Sequence, residues 1–209
     1  IRIVTLFDQE YPQELLSISV PPPVLYLAGG YLSSRKMIAL VGSREPTSYA
    51  QKVIDYFVPA LTHQGWSVVS GGARGVDTMV HRAALESGLT VAVIGSGLLQ
   101  PYPSENKKLF DQLCHASGTM LSIFPLQAAP ERWNFPARNR VIAGLSLATV
   151  VVQAAAKSGA LITAHFALEQ GRVVFAVPGS LFDQVSAGCH RLLKQGALLA
   201  ESPEDLFEV

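Results

Sequence analysis

Six stretches of the chain are continuously apolar and rich in β-branched residues: IALVGS at 38–43, WSVVSGG at 66–72, TVAVIGSG at 90–97, TMLSIFP at 119–125, LATVVVQA at 147–154 and VVFAVPG at 173–179. None alternates apolar with polar positions, so each reads as a strand buried on both faces, as in a mostly parallel sheet. Between them, helical spacing of apolar residues predicts helices over 48–64, 76–87, 104–117, 138–146, 160–170 and 186–195. Strands and helices in alternation predict an α/β fold with a doubly wound sheet and helices on both faces. A short run at 198–202, LLAES, suits an added edge strand, and there is no internal repeat. The Pro-rich residues 1–30 read as a lead-in arm, leaving one domain over 31–209.

Composition narrows the class. Of 209 residues 49% are hydrophobic and only 15% charged, which suits a globular domain rather than a disordered chain. No apolar run reaches the roughly 18–20 residues of a membrane span, and the first residues have no signal-peptide pattern. The start, without Met, reads as trimmed. Cys114 and Cys189 lack CxxC spacing and read as reduced thiols of a cytoplasmic protein. Formal net charge is zero, but unevenly spread: residues 35–200 hold 15 of the 16 basic side chains and 9 of the 16 acidic ones. A central basic excess is compatible with a polyanionic partner whatever the overall balance.

In doubly wound sheets ligands sit beyond the carboxyl ends of the strands. Those ends read Gly42-Ser43-Arg44, Gly71-Gly72-Ala73-Arg74, Gly95-Ser96-Gly97, Lys157-Ser158-Gly159 and Gly179-Ser180. Glycine turns followed by helix N-termini favour anions, and the interspersed cations strengthen that reading. GxGxxG and GxxxxGK[ST] are absent, which argues against a nicotinamide dehydrogenase and a Walker NTPase. There is no GxSxG elbow, paired carboxylates at strand ends or metal-ligand spacing beyond the lone Asp77/His81 pair. Asp77 is expected to orient the Gly71–Gly75 turn, with His81 packed behind it. The chain therefore reads as a binding protein without catalytic residues, metal or cofactor.

The segment RWNFPARNRVIAGLS at 132–146 joins arginines and aromatics at a helix start. Single-strand binders combine a positive groove with aromatic faces. Arg44 and Lys157 are the expected phosphate clamps, assisted by backbone N–H groups of Ser43, Gly71 and Gly159, with Arg74 beside Arg44. Arg138 and Arg140, two apart, face different sides of the helix, so one of them is expected to be a structural anchor. Asn139 is expected to tie the loop, and Trp133 or Phe135 either stacks on a base or fills the core.

These blocks, in this order, resemble the DprA/Smf family: VGSREPTSYAQ at 41–51, SGGARGVDTMVHRAAL at 70–85, TVAVIGSGLLQPYPSEN at 90–106, NFPARNRVIAGLS at 134–146, VVVQAAAKSGALITA at 150–164, GRVVFAVPGS at 171–180 and GCHRLLKQGALL at 188–199. The resemblance covers nearly the whole chain and implies an extended Rossmann-like core without flanking helical domains. It further implies a protein that binds and protects incoming single-stranded DNA and loads the RecA recombinase during natural transformation. The implied DNA contacts are Gly42, Ser43, Arg44, Gly71, Arg74, Lys107, Trp133, Phe135, Arg138, Asn139, Arg140, Lys157, Ser158 and Gly159. Pairing of two copies is implied through His190, Leu193 and Leu199. Three positions depart from what the resemblance implies: Gly72 where the family usually has Leu, Gln153 where an acid is common, and Ser104 where some relatives have a base. Lys107 and Lys108 compensate for Ser104 only if their helix turns them toward the groove. The rival expectation is a related nucleotide-processing phosphoribohydrolase, whose PGGxGTxxE motif is absent, and a third is a protein-binding scaffold.

Overall fold

The computed structural model describes residues 1–32, 36–87, 89–116 and 118–209. Among these, nine strands form one sheet: β1 (Arg2–Thr5), β2 (Val24–Gly29), β3 (Met37–Gly42), β4 (Ser67–Ser70), β5 (Thr90–Val93), β6 (Thr119–Ser122), β7 (Ala148–Gln153), β8 (Val173–Ala176) and β9 (Leu198–Leu199). The helices are α1 (Gln13–Leu16), α2 (Ser48–His63), α3 (Val76–Ala84), α4 (Lys107–His115), α5 (Asn134–Leu145), α6 (Ala160–Glu169) and α7 (Ala187–Lys194). No helix among the described residues is long and apolar enough to cross a membrane.

The sheet order is β1-β2-β6-β5-β4-β3-β7-β8-β9. From β3 the chain steps outward through β4 and β5 to β6, and α5 then returns it to β7 on the other side of β3. All pairings from β6 to β9 are parallel. Strands β4 to β7 are buried at every position, as their unbroken apolar runs predict. Ile38 and Leu40 of β3 pack beneath α2 and α3, while Ala39 and Val41 face α5 and α6, so helices cover both faces.

The lead-in residues depart from expectation. Rather than an arm, residues 1–30 contribute β1 and β2, which pair antiparallel with each other and extend the sheet beyond β6, with Leu27 opposite Leu121. The alternation in VLYLAG carries this: Leu25 and Leu27 are buried and their neighbours are not. The prolines before it masked a strand that begins just after them. Buried Tyr11 donates its hydroxyl to the Pro22 carbonyl at 2.7 Å, fastening the segment between the two strands.

Helix α5 starts four residues before its expected start at 138. Among its buried positions, Asn134, Arg138, Val141, Ile142 and Leu145 lie on one face by the i, i+4, i+7 rule. The stripe that is apolar in the second half of the helix is therefore polar in its first turns.

Candidate functional site

Between β3 and β7, where the chain changes direction across the sheet, the strand ends leave a groove of about 580 Å³. One wall is the turn after β3, with Gly42, Ser43, Arg44 and Glu45. The opposite wall is the turn after β7 and the start of α6, with Lys157, Ser158 and Gly159. The first turns of α5 close the groove with Phe135, Pro136 and Asn139, and Arg132 precedes them.

The floor is an ionic brace. Asp77, in the first turn of α3, folds back and accepts the N–H groups of Gly71 and Ala73 at 3.1 and 3.2 Å. Arg138 donates to the carbonyls of Gly71 and Val93, the latter at 2.7 Å, and so stitches the turns after β4 and β5 to α5. A side chain on Gly71 would strike the Arg138 guanidinium, so glycine here admits the arginine. Burial pushes the Arg138 guanidinium down to about 10, opposed by the Asp77 charge and assisted by Arg44, and it stays cationic at neutral pH. Burial likewise pushes the Asp77 carboxyl up, and Arg138 and the two N–H donors pull it back. Gly72 has φ of 68°, a left-handed conformation that suits glycine, and a side chain there would press on Phe110.

Phe135 stands above the brace. Its ring centroid lies 5.9 Å from the guanidinium carbons of both Arg44 and Arg138, and 5.9 Å from the ring centroid of Tyr102. Two cations thus flank an aromatic face that is half-buried. Arg44 and Lys157 are exposed, so their charges face solvent across the groove.

The expected residues separate into groups. Gly42, Ser43, Arg44, Phe135, Asn139, Lys157, Ser158 and Gly159 all line the groove. Arg74 lines a smaller recess beside it, together with Arg44, Gly71 and Phe135. Arg138 lines both, but its Nη1 is turned to the protein's own carbonyls, which makes it a structural anchor. Arg140 faces away and donates to the Val20 carbonyl at 2.8 Å, fixing the lead-in segment to α5. Lys107 opens α4 and lines neither cavity, because α4 turns it elsewhere.

Backbone donors differ from expectation as well. The Ser43 N–H is taken by the Gln153 carbonyl at 2.7 Å and the Gly71 N–H by Asp77. The Gly159 N–H has no acceptor among the described residues and opens to the groove. Trp133 is 72% exposed, which overturns a core role, and it does not line the groove. Asn139 makes no side-chain hydrogen bond among the described residues; the loop is tied instead by Asn134, whose amide donates to the Gly95 and Ala129 carbonyls at 3.1 and 3.2 Å. The Gln153 side chain accepts the Thr47 backbone N–H and donates to the Thr47 hydroxyl, and so fixes the start of α2.

Arg132 and Tyr102 were not picked out by the sequence as site residues. Arg132 belongs to the arginine cluster that opens the 132–146 block. Tyr102 lies on the turn after β5, and only the fold carries it to Phe135.

Behind the brace His81 is buried, its Nδ1 2.8 Å from the Thr90 hydroxyl. Burial, reinforced by Arg138, pushes its pKa down to about 3. Between about pH 3 and 6.5 the unfolded chain therefore takes up a proton that the folded chain refuses. Stability should fall as pH falls through this window, by about 1.4 kcal/mol per pH unit. His81→Gln should remove that contribution, measured as a shallower pH dependence of urea unfolding between pH 5 and 7. Among the described residues no three His, Cys, Asp or Glu side chains converge as a metal site requires.

The family model for DNA recombination-mediator protein A matches residues 2–209. The DNA processing protein DprA of Bacillus subtilis is 44% identical over 211 residues, covering 100% of this chain and 71% of the relative. Two further relatives are covered over 56% and 53% of their lengths. The X-ray structure of DprA from Streptococcus pneumoniae superposes with a TM-score of 0.92 at 39% identity, covering 99% of this chain and 73% of that one. DNA processing protein A from Helicobacter pylori, described for its unique single-stranded DNA binding mode, superposes with a TM-score of 0.86 at 27% identity, covering 100% and 95%.

Proposed function

Because the chain belongs to the DNA recombination-mediator protein A family, we propose that its groove binds single-stranded DNA without sequence preference and that the protein acts as a recombination mediator rather than an enzyme. The carrying observation is an aromatic ring within 5.9 Å of two guanidinium groups in a groove whose rims carry Arg44 and Lys157. Arg44 and Lys157 contact consecutive stretches of the phosphate backbone, the Gly159 N–H assists, and Phe135 meets an unpaired base. A duplex keeps its bases stacked inside and offers none to a ring at the groove wall. Asp77 is buried and accepts the backbone N–H groups of Gly71 and Ala73, which leaves it unsuited to general acid–base chemistry. The H. pylori relative's single-strand binding supports the same reading here.

The finer role follows the family: protection of incoming DNA during natural transformation and delivery to a RecA-type recombinase, in the cytoplasm. Titrating fluorescent single-stranded oligonucleotide, the matching duplex and nucleoside monophosphates tests the binding step. Single strand should bind well ahead of duplex. Equal binding of the two, or selective uptake of the monophosphate alone, would overturn it in favour of a nucleotide-processing site.

Two copies are proposed to pair across the β9 edge. Leu198 and Leu199 are 52% and 42% exposed on this outermost strand, an apolar edge that invites pairing. Leu193 is half-buried against the core, and His190 lies 3.0 Å from the Gly179 carbonyl, so these two support the edge from behind. An isologous contact sets two grooves side by side and raises the effective concentration of DNA for the second. Leu199→Glu should give a folded monomer with weaker binding to long oligonucleotides, read by sedimentation velocity. Sedimentation of the unaltered chain as a monomer at tens of micromolar concentration would rule the pairing out.

A further inference from the structure

We propose that a second nucleotide subsite lies beside the groove, with Tyr102 as its base platform and Arg74 as its phosphate contact, and that Glu105 is the counterion of Arg74 until a DNA phosphate replaces it. It rests on the single-strand reading above and extends it by one nucleotide toward the β4 and β5 side of the rim.

The smaller recess is lined by Arg44, Arg74, Tyr102, Pro103 and Phe135 among others, and it shares Arg44 and Phe135 with the main groove. Tyr102 is 43% exposed, and its ring plane is tilted 59° from that of Phe135 at 5.9 Å between centroids. Two adjacent rings in different planes, flanked by two exposed arginines, suit successive bases of a bending single strand and not a stacked duplex. Arg138 lies under both recesses, 4% exposed, with its Nε buried and without an acceptor among the described residues. Its positive charge therefore adds to an anion-favouring field beneath Tyr102 and Phe135.

The subsite is fixed in place. Buried Asn106 donates its amide to the Gly72 carbonyl at 2.9 Å and the Thr78 hydroxyl at 2.8 Å, pinning the segment that carries Tyr102 and Glu105 against the turn that carries Arg74. Glu105 lies 3.7 Å from Arg74, and both side chains are more than half exposed. The Ser104 hydroxyl donates to the same carboxylate at 3.3 Å. An ion pair this exposed is weak, so a backbone phosphate can replace the carboxylate at Arg74. Glu105 thus acts as a resident counterion that strand binding displaces.

Fluorescence anisotropy with thymidylate oligonucleotides of increasing length tests this on the unaltered protein and on Tyr102→Ala, Tyr102→Phe, Glu105→Gln, Arg74→Ala and Arg74→Ala/Glu105→Gln. Tyr102→Ala should weaken binding of the longer oligonucleotides about 5- to 150-fold, and Tyr102→Phe, which keeps the ring, should restore it. Glu105→Gln should tighten binding by up to about fivefold, and the gain should vanish when Arg74 is also removed. Thermal unfolding checks that each variant is folded. Binding by Tyr102→Ala equal to the unaltered protein at every length, or a Glu105→Gln gain that persists without Arg74, would overturn the subsite. Failure of the unaltered protein to bind any oligonucleotide would instead overturn the single-strand reading beneath it.

Discussion

Arg44→Ala is expected to weaken single-strand binding by roughly 10- to 150-fold while leaving the thermal unfolding midpoint nearly unchanged. The guanidinium leaves the turn after β3 at the mouth of the groove, exposed, with its charge beside the Phe135 ring. A hydrogen bond from a charged group is worth about 1.5–3 kcal/mol, which gives that range. Nothing in the fold depends on the side chain: among the described residues it makes no ion pair, and its neighbours are held by Ser43 and Gly75 through the backbone. Arg44→Lys should recover part of the loss, because a single ammonium keeps the charge but not the two-pronged geometry. A folded Arg44→Ala protein with undiminished affinity would remove Arg44 from the phosphate path.

Arg138→Ala should act on stability first, lowering it by about 3–5 kcal/mol. Removing the guanidinium leaves the Gly71 and Val93 carbonyls without their donor and strands the buried Asp77 carboxylate. With typical domains stable by about 5–15 kcal/mol, that is a large share of the total. Asp77→Ala should be comparably costly, since the N–H groups of Gly71 and Ala73 lose their acceptor. Arg138→Ala combined with Asp77→Ala should cost less than the sum of the two single changes, the mark of coupled partners. Urea unfolding of the four proteins measures this. An Arg138→Ala protein of normal stability that fails to bind DNA would return Arg138 to direct phosphate contact.

These opposite expectations for two arginines mark the limit of what the sequence discloses. The strand runs, the helices between them and the rim of glycine turns follow from apolar continuity and period, and the switch point follows from the doubly wound order. The α5 stripe is also readable, since counting back from Leu145 through Ile142 and Val141 reaches Arg138 and Asn134 but misses Arg140. What to conclude from that stripe depends on what faces it. Only the packed structure brings the Gly71 and Val93 carbonyls and Asp77 to the arginine and makes it a brace. The glycines illustrate the same point: Gly71 makes room for a side chain of the protein itself, whereas Gly159 opens to the groove. Tyr102 and Phe135 are 33 positions apart in sequence, and no local pattern announces that their rings meet. The strands β1 and β2 were hidden by the prolines around them, although the alternation in VLYLAG carried the signal.

The salt dependence of single-strand binding bears most directly on the groove as the DNA site. The logarithm of affinity should fall linearly with the logarithm of salt concentration, with a slope of about −0.7 for each phosphate neutralised. Removing Arg44 or Lys157 should each make that slope shallower by about 0.7, while Lys52→Ala, on the exposed side of α2 and outside the groove, should leave it unchanged. Binding that is insensitive to salt, or a slope that neither Arg44→Ala nor Lys157→Ala alters, would contradict the assignment of the β3–β7 groove to the DNA backbone.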